Sequence, residues 1–242
     1  MMSDGETRGL GALQGSIERR GLRDHVYDRI LQLLLSGEVA PGARLSIDTI
    51  ARQLEVSPTP VREAMVQLER TGLVTREALK GYRVAPPLRP SQLAELFDAR
   101  LMLESTATRL ATPATPALLS ELRAAQDQHR IAGERVIATL SGGTPDVALT
   151  TAYFAADAAF HRVVFDHCGN RYLTDMSETL GAQLHRMRQA ALHGITDVRE
   201  AMAEHEAIVE AFAADDARAP EQAMRRHIEL VRSRSLDIER AG

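Results

Sequence analysis

The chain has 242 residues, of which 44% are hydrophobic and 26% charged, the balance of a soluble globular protein with room for two ordinary domains. The longest apolar run, Ile30 to Leu35, is interrupted by Gln32 and falls far short of the roughly 20 residues a bilayer crossing needs. The opening MMSDGETRGLGALQGS has no apolar h-region, so it does not read as a secretory signal. The lone Cys168 excludes an internal disulfide and a cysteine-based zinc site, and a cytoplasmic location is the expectation.

A formal charge of −4, taken whole, argues against a nucleic-acid partner, because phosphate binding depends on Lys and Arg. The charge is divided along the chain, however. Residues 20–88 hold ten basic and eight acidic side chains, a net of +2, whereas residues 89–242 hold 17 and 22, a net of −5.

Residues 1–20 mix Gly, Ser and charge and read as a flexible arm. Helical spacing follows: Val26, Ile30, Leu33 and Leu34 share a face, and Gly37 supplies a stop. The segment EVAPGARL reads as a Pro-Gly turn leading to Ser46, a good N-cap for SIDTIARQLE. After a tight turn at Glu55 and Val56, Ser57 can cap a third helix with Pro58 at N1, running to Gly72 just past its end. Val61, Met65 and Leu68 make its apolar stripe, leaving Thr59, Arg62, Glu63 and Gln67 toward solvent. LVTREALKGYRVA, two short alternating runs around a turn ending in Gly81, reads as a hairpin. Three helices and a hairpin over residues 21–86 describe a winged helix-turn-helix, whose third helix enters the DNA major groove.

PPLRP at 86–90 reads as a stiff linker, with 87–90 between the two domains, and residues 91–240 read as helix throughout. The breaks at Pro113, Pro116, Pro145, Gly169, Gly194 and Pro220 divide this part into about six helices, near 91–111, 116–138, 147–168, 171–193, 197–214 and 219–238, with SGGTP at 141–145 as the loosest loop. The expected fold is mainly α: an N-terminal winged helix-turn-helix followed by an antiparallel all-α bundle.

The stretch PGARLSIDTIARQLEVSPTPVREAMVQLERTGLVTREALKGYRV closely resembles the DNA-binding domain of the GntR family of bacterial transcription regulators. The resemblance implies that Arg44, Thr59 and Arg62 lie nearest the operator, with Gly81 at the tip of the wing. The residue chemistry agrees: Arg62 on the exposed side of the third helix can bond guanine O6 and N7 bidentately, and Ser57 with Thr59 at the helix start can bond phosphates. The plainer alternative for Arg62 is a surface ion pair with Glu63 or Glu69. Pro58 stands where the family often has an arginine, so no operator sequence carries over.

Of the eight histidines, three fall on apolar helix faces. Asp157 and His161 are one helical turn apart on the face that carries Phe154, Val164, Phe165 and Cys168. His205 shares its face with Ile208, Val209 and Phe212, and His227 lies with Met224 and Val231. Each histidine alone is explained as a buried, hydrogen-bonded side chain. Together with an inward carboxylate, which is costly to bury unless paired or metal-bound, they make a donor set suited to zinc, and also to nickel or manganese. His167, His185 and His193 remain unassigned, as surface or supporting residues, and Arg186 and Arg188 are weaker effector candidates.

LFDARLMLE, DAAFH, CGNRYL, EHEAIVEAF and MRRHI resemble the FCD ligand-binding domain of FadR-type GntR regulators, with a helix count near the VanR-type subgroup. The resemblance implies Asp157, His161, His205 and His227 as ligands of a divalent metal, and Arg100 as a contact to a small carboxylate effector. An intrahelical pair with Glu104 is the alternative for Arg100. The expectation is a homodimeric regulator, in the sense of a repressor, that binds palindromic double-stranded operator DNA, senses a small organic acid, and neither spans a membrane nor acts as an enzyme. The competing expectation is a helical metalloenzyme acting on small carboxylates, although Glu-x-x-His pairs, His-Glu-x-x-His and Gly-x-Ser-x-Gly are absent from the sequence.

Overall fold

The computed structural model describes residues 16–35, 38–77, 81–86, 88–140, 147–188 and 195–239. The expected loop at 141–145, the break at Gly194, His193 and residues 1–15 of the expected arm lie outside them, as do the side chains of His185, Arg186 and Arg188. The described residues form two compact units that meet between Ala85 and Pro86.

In the first unit α1 spans Ser16–Leu35, β1 Arg44–Leu45, α2 Ile47–Gln53, α3 Pro58–Arg70, β2 Val74–Glu77 and β3 Gly81–Val84. Two boundaries differ from the sequence reading. Helix α1 begins at Ser16 rather than past residue 20, because IERR continues a helix-forming run and the single Gly21 costs only about 1 kcal/mol. Arg44 and Leu45, read as the end of a turn, form a strand. Arg44 pairs with Arg83 and Leu45 with Tyr82, so the hairpin is widened to a three-stranded antiparallel sheet of order β1-β3-β2.

The inward stripe of α1 is Val26, Ile30, Leu31 and Leu34, with Leu33 only half-buried. It packs on Val61, Met65 and Leu68 of α3, each fully buried. Ser46 caps α2, its hydroxyl accepting from the Thr49 N–H at 3.3 Å. Glu55 takes φ 55° in the tight turn before α3, and Gly72 takes φ 74° just after it, the left-handed geometry that closes helices and favours glycine.

The second unit is all-helical among the described residues, with α4 Pro90–Leu110, α5 Pro116–Leu140, α6 Val147–His167, α7 Arg171–Arg188, α8 Ile195–Ala213 and α9 Ala219–Glu239. Proline opens α4 at N1, and the Gln92 side chain accepts from the Arg89 N–H at 3.1 Å. Helix α5 packs on α6 and α8, and α9 on α4 and α8. Phe97, Leu118, Leu122, Phe160, Ile208 and Met224 fill the core they enclose.

Candidate metal centre and nucleic-acid face

Helices α6, α8 and α9 each turn one histidine into the bundle because each imidazole sits on an apolar stripe. His161 is 7% exposed, His205 0% and His227 2%. The His161 ring centroid is 5.0 Å from that of His205 and 5.2 Å from that of His227, and His205 to His227 is 4.7 Å. One donor atom from each lies within 4.8 Å of the others. Asp157 Oδ1 is 3.6 Å from His205 Nε2 and 3.9 Å from His161 Nε2. The four residues singled out in the sequence are thus brought to one place, with the carboxylate on the His161 and His205 side.

Two carboxylates not assigned from the sequence orient this group. Glu204 Oε2 lies 2.8 Å from His227 Nδ1, and Glu204 is itself held by Arg234 of α9 at 2.6 and 3.1 Å. Glu104 Oε2 lies 2.6 Å from His161 Nδ1, a close polar contact outside hydrogen-bond geometry. A carboxylate on one ring nitrogen fixes the ring and presents the other nitrogen to a cation. The remaining nitrogens, His161 Nε2, His227 Nε2 and both nitrogens of His205, are buried with no hydrogen-bond partner among the described residues. Such orphaned polar atoms are costly in a protein interior, and the unprotonated nitrogen of each ring fits a bound cation.

The electrostatics favour the neutral imidazole at His205 and His227. Burial pushes His205 well below the ordinary histidine value, and the neighbouring His227, His129, His161 and Arg100 add to it. Burial also lowers His227, partly opposed by its bond to Glu204. Burial alone would raise Glu104, but Arg100 and His161 outweigh it and hold the carboxyl far below the usual carboxylate range.

Arg100 is buried, with Nε 2.7 Å from Glu104 Oε1, so the intrahelical pair is formed. A cavity of about 350 Å³ opens beside the cluster, lined by Glu104, His161, Arg162, Phe165, Ser177 and Gly181 among others, and Arg100 is not in its wall. His167 faces Glu121 at 3.0 Å, away from the cluster.

One histidine was missed in the sequence. His129 of α5 is fully buried, stacks on Tyr153 at 4.8 Å and meets His205 at 4.4 Å. Its signal was there: Leu118, Leu122, Gln126, His129, Gly133 and Val136 are the buried positions of α5 at helical spacing. The polar Gln126 disguises that stripe, and its amide is used to donate to Met202 O of α8 at 2.9 Å.

In the first unit Arg44, Ser57, Thr59, Arg62 and Gly81 are all exposed. Ser57 occupies the N-cap of α3 without a side-chain capping bond, which leaves its hydroxyl, like that of Thr59, at the positive end of the helix. Arg62 makes no ion pair with Glu63 or Glu69 among the described residues. It borders a shallow groove with Arg23, Val66, Gln67 and Arg70.

The family described as "Bacterial regulatory proteins, gntR family" matches residues 22–84, and the FCD domain matches residues 95–230. An HTH-type transcriptional regulator of Streptomyces ambofaciens is 30% identical over 90% of this chain and 85% of its own length. The HTH-type transcriptional repressor GlaR of Escherichia coli is 25% identical over 81% of this chain and 87% of its own. A solved GntR-type transcriptional regulator from Rhodococcus sp. RHA1 superposes with a TM-score of 0.69 at 23% identity, covering 91% of this chain and 98% of that one, a likeness of fold. With both domains matched in chain order, the chain belongs to the GntR family of bacterial regulatory proteins, which are DNA-binding transcription regulators and not enzymes, and its C-terminal half is an FCD domain.

Proposed function

We propose that this regulator is an operator-binding homodimer, acting as a repressor, whose helical unit holds one divalent ion and takes a small organic acid in the cavity beside it. The observation that carries this reading is the set of buried ring nitrogens that converge with no hydrogen-bond partner among the described residues. Asp157, His161, His205 and His227 would hold the ion, and three imidazoles with one carboxylate suit zinc first. When bound, the ion supplies a positive centre with positions open to carboxylate oxygens.

The cavity has a mainly apolar lining with a few polar groups, the usual character of a small-ligand site. Arg100 acts here through Glu104, keeping that carboxylate charged against His161, and the acid need not reach the guanidinium. In the head, Arg62 reads a base edge, Arg44, Ser57 and Thr59 meet the backbone, and the strand beginning at Gly81 follows the adjacent groove. Acid and operator affinities must then be coupled to the same extent in both directions.

Two measurements test the proposal. Elemental analysis after mild purification is expected to find about one metal equivalent per chain, and far less in His205→Ala. An electrophoretic shift on the DNA adjoining the protein's own gene is expected at low salt and to change with the effective acid. Absence of metal in the wild type removes the ion from the reading, and absence of any sequence-specific shift removes the operator.

A further inference from the structure

We infer that His129 is a fifth protein ligand of the ion, and that His129, Asp157 and His205 make a second three-donor position beside the one formed by His161, His205 and His227. This rests on the metal reading above. One donor atom from each of His129, Asp157 and His205 lies within 4.8 Å of the others, so a small closure brings all three to the separation that donors about 2.0–2.1 Å from one ion adopt.

The two groups share His205, whose nitrogens both lack a hydrogen-bond partner among the described residues. Asp157 completes the His129 group rather than the three-histidine one. The His129 ring is held in place by stacking, 24° from the plane of Tyr153 and 36° from that of His205. A leucine or phenylalanine would fill this position of the α5 stripe without burying polar nitrogens.

Glu104 and Glu204 are already faced by Arg100 and Arg234, and Asp157, which also feels the charge of Arg100, is the carboxylate that lies against both His161 and His205. Bound in this way, the ion extends its coordination from His161 inward to α5.

The test uses the full chain loaded with cobalt(II), whose bound imidazoles each give a hyperfine-shifted, exchangeable ring N–H signal in the proton NMR spectrum. Four such signals are expected in the wild type and three in His129→Phe, which keeps an aromatic ring in the stack, with cobalt affinity at least tenfold weaker. His129→Gln serves as the second variant, and circular dichroism confirms that each is folded. Three signals in the wild type overturn the inference while leaving the metal reading intact. So does an unchanged spectrum and affinity in a folded variant. A wild type that binds no cobalt(II) overturns both.

Discussion

Two of the proposed ligand histidines are each clamped on the Nδ1 side by a carboxylate from another helix, Glu104 for His161 and Glu204 for His227. Outer partners of this kind typically carry 10- to 100-fold of metal affinity. Glu204→Gln is therefore expected to weaken the ion by about that factor, measured by competition with a chelating dye, and Arg234→Ala by less, because Glu204 keeps its contact to the ring. Glu104 is different, since it also neutralises Arg100 in a fully buried pair. Removing one partner of a buried pair costs about 3–5 kcal/mol, so Glu104→Ala should lower the urea midpoint of the helical unit even with metal stripped. On the head, Arg62→Ala is expected to cost about 1–3 kcal/mol of operator binding and to relax preference at a single base pair, which a set of one-base operator variants resolves.

Helix α5 shows what an element contributes beyond its length. Its inward stripe carries two apolar leucines, the Gln126 tie to α8, His129 and then Gly133, where a Cβ would come within 2.5 Å of Met202 Sδ and 3.2 Å of Val198 Cγ1 on α8. The glycine lets α8, and with it His205, approach α5. Gly133→Leu is expected to cost about 1–3 kcal/mol through overpacking and to weaken metal binding as well, whereas Leu122→Ala, a fully buried site in the core, should cost about 2–5 kcal/mol; thermal melts with and without metal separate the two effects. The helices themselves were legible in the sequence because apolar periodicity, capping residues and Pro breaks are local signals. So were Asp157 and His161, one turn apart on an apolar face, and the exposed side of α3. What was hidden depended on pairing across elements. The two-residue strand β1 has meaning only beside β3, the carboxylates Glu104 and Glu204 face their histidines from other helices, and His129 joins the cluster only once α5 lies against α8. The start of α1 was misplaced for a local reason: residues 16–20 are mostly polar and lack the apolar periodicity by which the helix was read.

For the whole chain, the division of charge places a net of +2 on residues 20–88 and −5 on residues 89–242. So small an excess makes a weak phosphate binder of one head, and on the proposed dimer the second half-site supplies the difference. Removing one half-site from the operator is expected to lower affinity by about 10²-fold or more, measured on the intact protein at fixed salt. The mutual placement of the rings also has a spectroscopic use. The chain contains no tryptophan and four tyrosines: Tyr27 and Tyr82 belong to the head, Tyr172 is exposed on α7, and Tyr153 alone lies stacked on a histidine of the cluster. Tyrosine emission excited without competing indole therefore reports on the proposed metal centre through one residue, and a quenching cation such as cobalt(II) bound there should dim that share of the signal in the native protein without any label being attached.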